Sequence, residues 1–248
     1  MNLAWIENFK IHTYDTDFNN NVKLSSILNF MQEVATNHAN SLKIGLNELS
    51  QEGLFWVLSR VKIEMIDFPK IGDEIKIETW PKGIDKLFAL RDFKIYNFKG
   101  EIIGKATTAW LIIDSEKMRP KRPKIFLERI RNFRDEHALL EVPGKILESQ
   151  NKDLVLEKRA GYTDIDINKH MNNVKYVELV LDSFSEDTFN TKRIKEMQIN
   201  FLSEVKFGDK IQILQGPFKD ASNSFYIEGI KAHTNDRVFK SSIKWRDI

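Results

Sequence analysis

Cysteine is absent from all 248 residues. That excludes disulfides, thiolate metal centres and any thiol nucleophile. Also missing is an unbroken apolar run near the ~18 residues that a membrane-spanning helix needs. The segment from Met1 to Asn8 has neither the basic start nor the apolar centre of a secretory signal. A cytoplasmic protein with no membrane partner is expected. Charge of one sign is scarce as well: 38 basic residues face 36 acidic ones, and a net charge of +2 is too slight to point to nucleic acid. There is no Gly-rich phosphate loop and no Ser nucleophile elbow. Asp15-x-Asp17-x-Asn19 resembles the start of a calcium loop, but Asn20 stands where that loop requires Gly and Ser26 where it requires Glu. Neither a metal nor a cofactor is expected.

What is present is a plan that occurs twice. An extended segment, Trp5 to Tyr14, leads through a polar run into an amphipathic helix. Leu24, Ile27, Leu28, Met31, Val34, Ala35, His38 and Leu42 recur there at steps of three and four, and Gly45 offers a stop. His38, on the apolar face, reads as a core histidine. Alternating stretches follow: Trp56 to Phe68, a turn at Pro69–Asp73, Glu74 to Trp80, then Leu87 to Phe98 and Ile102 to Ile113 around Lys99-Gly100. Residues 115–150 carry Pro120, Pro123 and Pro143 with many charges and no clean period, which suggests a surface linker. The second copy is visible by arithmetic. Asp17-x-Asn19-x-Asn21 returns as Asp166-x-Asn168-x-His170 (166 − 17 = 149), and Gly72-Asp73 returns as Gly208-Asp209 (208 − 72 = 136). An internal repeat of this kind decides the architecture. The expectation is α+β: a tandem, or double, hotdog in which each long helix is wrapped by an antiparallel sheet. One copy alone would leave a sheet edge open, so the two are expected to pair as a pseudo-dimer with one continuous sheet. The boundaries read as 1–114, a linker at 115–150, and 151–248.

One stretch carries chemistry. Asp166, Asn168 and His170 place a carboxylate, a carboxamide and an imidazole at alternate positions. They stand ahead of a helical pattern whose first N–H groups have no intrahelical acceptor. Taken alone, Asp166 and Asn168 suit a turn and a helix cap. The full run Asp166-Ile-Asn168-Lys-His170-Met-Asn172-Asn173-Val174-Lys175-Tyr176, however, resembles the signature Asp-x-Asn-x-His-x-Asn-Asn-x-Lys-Tyr of the acyl-acyl carrier protein thioesterases. The stretch Phe55-Trp56-Val57-Leu58-Ser59-Arg60, the helix with Asn-Phe-Met-Gln-Glu and Asn-His-Ala, and Trp110 followed by a basic run are similar to that family too. The resemblance extends over nearly the whole chain.

The resemblance implies a further catalytic carboxylate on a later strand, within a Glu-Cys pair. Counting forward gives Glu204-Val205, 34 residues after His170 (204 − 170 = 34). Valine stands where many relatives have cysteine, so a Cys-His-Asn mechanism is excluded and Glu204 takes the base role. The implied reaction is thioester hydrolysis by a Glu204- and His170-activated water, or by direct carboxylate attack, with no cofactor. Asp166 and Asn168 would position the imidazole and the carbonyl, and the amides near Asn172 and Asn173 would help to bind the oxyanion. The first copy has Asn21 for His170 and Phe68 for Glu204, so one active site per chain is expected. That half is left for acyl-chain binding, with Ile27, Met31, Phe55, Trp56, Leu58 and Trp80 as candidate lining. The partner implied is an acyl carrier protein bearing a phosphopantetheine-linked acyl chain. The basic residues Arg119, Lys121, Arg122 and Lys124 are candidate docking contacts. Monomer and homodimer remain open, as do two alternative activities, an acyl-CoA thioesterase and a non-catalytic acyl-thioester-binding protein. The lack of a transit segment before the first strand gives the expectation of a bacterial-type chain.

Overall fold

The computed structural model describes residues 4–130, 133–218 and 223–248, and the chain divides into two compact units, 1–143 and 144–248. The first unit contains β1 (Trp5–Lys10), α1 (Leu24–Ser41), α2 (Leu46–Gln51), β2 (Leu54–Met65), β3 (Glu74–Asp85), β4 (Phe88–Asn97), β5 (Ile102–Asp114), the short β6 (Arg119–Lys121) and α3 (Lys124–Arg129). Its strands run β1-β3-β4-β5-β2, each antiparallel to its neighbour, with β6 paired to the end of β5. The apolar stripe of α1 is buried as its spacing requires, from Leu24 through Val34 to His38. Gly45 is not the helix stop. The helix ends at Ser41, Lys43 turns the chain at a φ of 59°, and Gly45 caps α2 at a point where a Cβ would run into the Asn40 carboxamide. The returning strand is also longer than its alternation suggested, because β3 continues past Trp80 across a bulge at Pro81 and Gly83.

Much of the segment read as a linker belongs to this first unit. Beyond α3, residues 134–143 cross the sheet as a strap, held by groups 40 or more positions upstream. The buried Asp92 carboxylate accepts the Ala138 N–H at 2.8 Å and faces the Lys82 ammonium at 3.3 Å, while Lys82 also reaches the Leu139 carbonyl. The Trp80 indole donates to the Glu136 carbonyl, with the Arg134 guanidinium stacked over its ring. Arg60 donates to the Pro143 carbonyl and Lys62 pairs with Glu141. Neighbouring strand residues point to opposite faces. Asp92 and Trp80 therefore face the strap, whereas Arg91, Thr79 and His38 meet on the α1 side.

The second unit contains β7 (Asp153–Arg159), α4 (Asn173–Asp182), α5 (Glu186–Thr191), β8 (Lys192–Phe201), β9 (Lys210–Pro217), β10 (Ser224–Lys231) and β11 (Arg237–Asp247). Its antiparallel order, β8-β11-β10-β9-β7, matches the first unit strand for strand. Tyr176 fastens α4 to the sheet, packing edge-on against Phe201 and Phe239. Each unit is a hotdog fold. The repeat holds at the level of single hydrogen bonds. Ile11 N–H donates to the Asp73 carbonyl and Ala160 N–H to that of Asp209, both at 2.9 Å, and Gly72 and Gly208 turn the chain at φ values of 86° and 88°. Even the bulge recurs, beside Trp110 in one copy and beside Trp245 in the other. Most of the change of offset from 149 to 136 lies in the long helix: α1 has 18 residues and α4 has 10, while α2 and α5, which follow them, have six each.

Candidate active site

The loop ahead of α4 is built by its own backbone. Gly161 N–H donates to Asp164 Oδ2, and a bridge between Ile165 and Met171 closes the segment between them. Inside it, Asp166 N–H donates to the His170 carbonyl at 2.8 Å and Lys169 N–H to the Asp166 carbonyl, while the Asp166 carboxylate accepts the Asn168 N–H at 2.8 Å. Lys169 adopts a φ of 62° to complete the turn. The loop then docks onto the helix start through Asn172 N–H to the Asp164 carbonyl, and Asn172 Oδ1 caps Val174 N–H at 2.9 Å. The Asn173 N–H is a first-turn amide with no acceptor found among the described residues.

This scaffold turns His170 toward Glu204, with Nε2 and Oε2 2.9 Å apart. Glu204 lies in the loop after β8, not on a strand as the resemblance implied. Its position is fixed by the next residue. Val205 is fully buried, its carbonyl accepts the Met171 N–H at 2.8 Å, and its backbone is hydrogen-bonded to the Tyr176 hydroxyl. Burial, with Glu204 and Asp166 nearby, raises that hydroxyl above the ordinary tyrosine range. The His170 and Glu204 side chains keep 30% and 53% of their surface, so water and a substrate reach both. The arrangement offers a carboxylate base oriented by an imidazole, beside a helix start with an open amide.

The structure separates the roles foreseen for the motif. Asp166 holds the loop, acting on the Asn168 amide instead of the ring, and Asn168 itself is exposed. The Asn172 side chain is occupied as a cap. Among the residues foreseen for acyl-chain lining, Ile27, Met31 and Leu58 are buried. Phe55 and Trp56 are half-buried, and the Trp56 indole is fixed to the Ile44 carbonyl at 2.8 Å. Trp80 faces the strap instead. Arg119, Lys121, Arg122 and Lys124 are exposed on the first unit, where Lys121 is already paired with Asp114 at 2.7 Å. Tyr176, the last residue of the motif, lies buried beneath the site. Asp164 was missed, although its twin Asp15 stands at the same offset of 149 and makes the same turn, accepting the His12 N–H.

The first unit contains the same loop without the pair. Asp17 Oδ1 accepts the N–H groups of Asn19 and Asn21, both at 2.9 Å, and Asn20 turns at a φ of 60°. Asn21 and Phe68 occupy the positions of His170 and Glu204. Among the described residues, no cluster suits a metal ion and no helix is long and apolar enough to cross a membrane.

The model of the acyl-ACP thioesterase N-terminal domain matches residues 2–126, and that of the C-terminal domain matches residues 147–247. The chain belongs to the acyl-ACP thioesterase family. It is 27% identical to the chloroplastic oleoyl-acyl carrier protein thioesterase of Coriandrum sativum over 88% of its own length, and spans 64% of that longer protein. A crystal structure of an acyl-ACP thioesterase from Bacteroides thetaiotaomicron is 27% identical, with a TM-score of 0.90, over 99% of this chain and 98% of that one. The 12:0-ACP thioesterase from Umbellularia californica, 22% identical with a TM-score of 0.86, shares the fold over 100% of this chain and 99% of that one.

Proposed function

We propose that the chain hydrolyses acyl thioesters of an acyl carrier protein and releases the free fatty acid, with chemistry in the second unit alone. The observation that carries this reading is the accessible His170–Glu204 pair at 2.9 Å, set beside the start of α4. Glu204 takes a proton from water as the oxygen adds to the thioester carbonyl. The negative charge that develops on that carbonyl is met by the Asn173 N–H and the positive end of the helix. When the carbon–sulfur bond breaks, the proton held by Glu204 passes to the departing thiolate, leaving a carboxylic acid and a free carrier thiol. His170, with Nε2 2.9 Å from Oε2, holds the carboxylate in position. Direct attack by Glu204, giving an anhydride that water then opens, uses the same groups. In a single turnover in heavy-oxygen water, label in Glu204 identifies the anhydride route with opening at the Glu204 carbonyl.

The first unit, with neither base nor imidazole at the equivalent positions, is left for acyl-chain binding. The test of substrate class is to present one acyl group on a carrier protein and on coenzyme A and to quantify the released acid by mass spectrometry. A higher kcat/KM on the carrier is expected. Preference for coenzyme A would favour an acyl-CoA thioesterase, and binding without any released acid would leave a thioester-binding protein.

A further inference from the structure

The loops that carry His170 and Glu204 also carry a rim that the chemistry does not use. Ile167 and Phe207 are 85% and 67% exposed, and Lys169, Lys206 and Arg159 are exposed beside them. Single exposed apolar residues are ordinary, but an apolar pair ringed by cations next to a reactive pair has the composition of a contact surface. In the first unit the equivalent loops touch directly: Ile71 N–H donates to Asn20 Oδ1 at 3.2 Å, and Asn21 bridges Lys70. The loops of the second unit meet through Met171 N–H and the Val205 carbonyl at 2.8 Å, as Val22 N–H and the Pro69 carbonyl do in the first. Four rim positions keep their character in both copies, with Phe18, Ile71, Lys70 and Lys10 at the places of Ile167, Phe207, Lys206 and Arg159. Position 169 does not. Its backbone is left-handed, a conformation that Asn adopts more readily than Lys, and the non-catalytic copy has Asn20 there. The lysine is found only in the copy that has the catalytic pair, at a position where local conformation disfavours it.

We propose that Lys169, Lys206 and Arg159, with Ile167 and Phe207, form the docking rim for an acidic carrier domain that delivers its tethered thioester to His170 and Glu204. The proposal rests on the hydrolysis of carrier-bound thioesters argued above. A basic and apolar rim also suits an anionic membrane, but that seating would press the half-exposed Glu204 against headgroups of its own sign. A carrier leaves the pair open to its own thioester. Charge complementarity of this kind acts on encounter and weakens with salt.

The decisive variant is Lys169→Asn, which installs the twin's residue and should fold at least as well as the unaltered chain. Paired with Lys206→Gln, it should lower kcat/KM for an acyl-carrier substrate about tenfold, flatten its salt dependence, and change hydrolysis of the same acyl group on N-acetylcysteamine by less than about twofold. Equal losses on both substrates, or no loss on the carrier, would overturn the docking rim. So would an unaffected Lys169→Asn alongside a loss in Arg119→Gln/Arg122→Gln/Lys124→Gln, or Lys169-dependent sedimentation with phosphatidylglycerol vesicles. If the unaltered chain hydrolyses N-acetylcysteamine thioesters but no carrier thioester, the functional reading falls and the rim with it.

Discussion

A buried histidine beside a buried arginine makes the first unit less stable in acid. His38 Nδ1 lies 3.0 Å from the Arg91 guanidinium, and burial, then the arginine's charge, lowers its pKa from 6.5 to about 3. The folded chain therefore keeps His38 neutral where the unfolded chain takes up a proton. Stability from this residue is complete above pH 6.5 and falls as the pH drops from there toward 3. At pH 5 the loss amounts to about 2 kcal/mol. Urea unfolding at pH 7.5 and pH 5 should show that difference between the unaltered chain and His38→Gln, since the variant lacks the titrating group. An identical pH dependence in both would remove the assignment. His170 belongs to the opposite class: accessible, paired with a carboxylate and open to substrate. The same residue type packs in one copy and, in the function proposed, serves chemistry in the other because its neighbours differ.

At the scale of the element, α4 does two things through one residue. The Asn172 carboxamide caps Val174 N–H, which leaves the Asn173 amide as an open donor at the helix start. Asn172→Ala should cost about 1 kcal/mol of stability, measured by thermal or denaturant unfolding. It should also lower kcat, because the capping bond that sets the angle of the first turn is lost. The main helix of each copy and the hairpins were legible in the sequence because their causes are local, whereas the short helices α2, α3 and α5 were not. The three-and-four spacing from Leu24 to His38 specifies a buried stripe, and Asn97-Phe98-Lys99-Gly100 specifies a turn. The loop motif was legible because it occurs twice. The strap was not. Its order comes from Asp92, Lys82 and Trp80, whose partners lie 46 to 57 positions away and follow no period. The division of labour between Asp166 and His170 was equally hidden, since a carboxylate two residues from an imidazole reads as its partner until the Asn168 amide is seen to hold it.

At the scale of the molecule, the chain is one design used twice, with a polar pair added to one copy and a strap clamped to the other. The clamp turns on Asp92, which is fully buried against Lys82. Asp92→Ala would leave that ammonium buried without its carboxylate, and a loss of about 3–5 kcal/mol is expected in denaturant unfolding, with faster amide exchange across residues 134–141. A loss below about 1 kcal/mol would show that the strap is held elsewhere. The central claim concerns the other copy: hydrolysis runs through His170 and Glu204 acting as one unit. Its most direct test is the kcat for release of free fatty acid from an acyl-carrier substrate by His170→Ala, Glu204→Gln and the double variant. Each single change should lower kcat by ~10²–10⁴, and the double variant should be little slower than the slower single one, as for groups that share one step. A single variant that keeps the full rate, or losses that multiply in the double variant, would contradict the account.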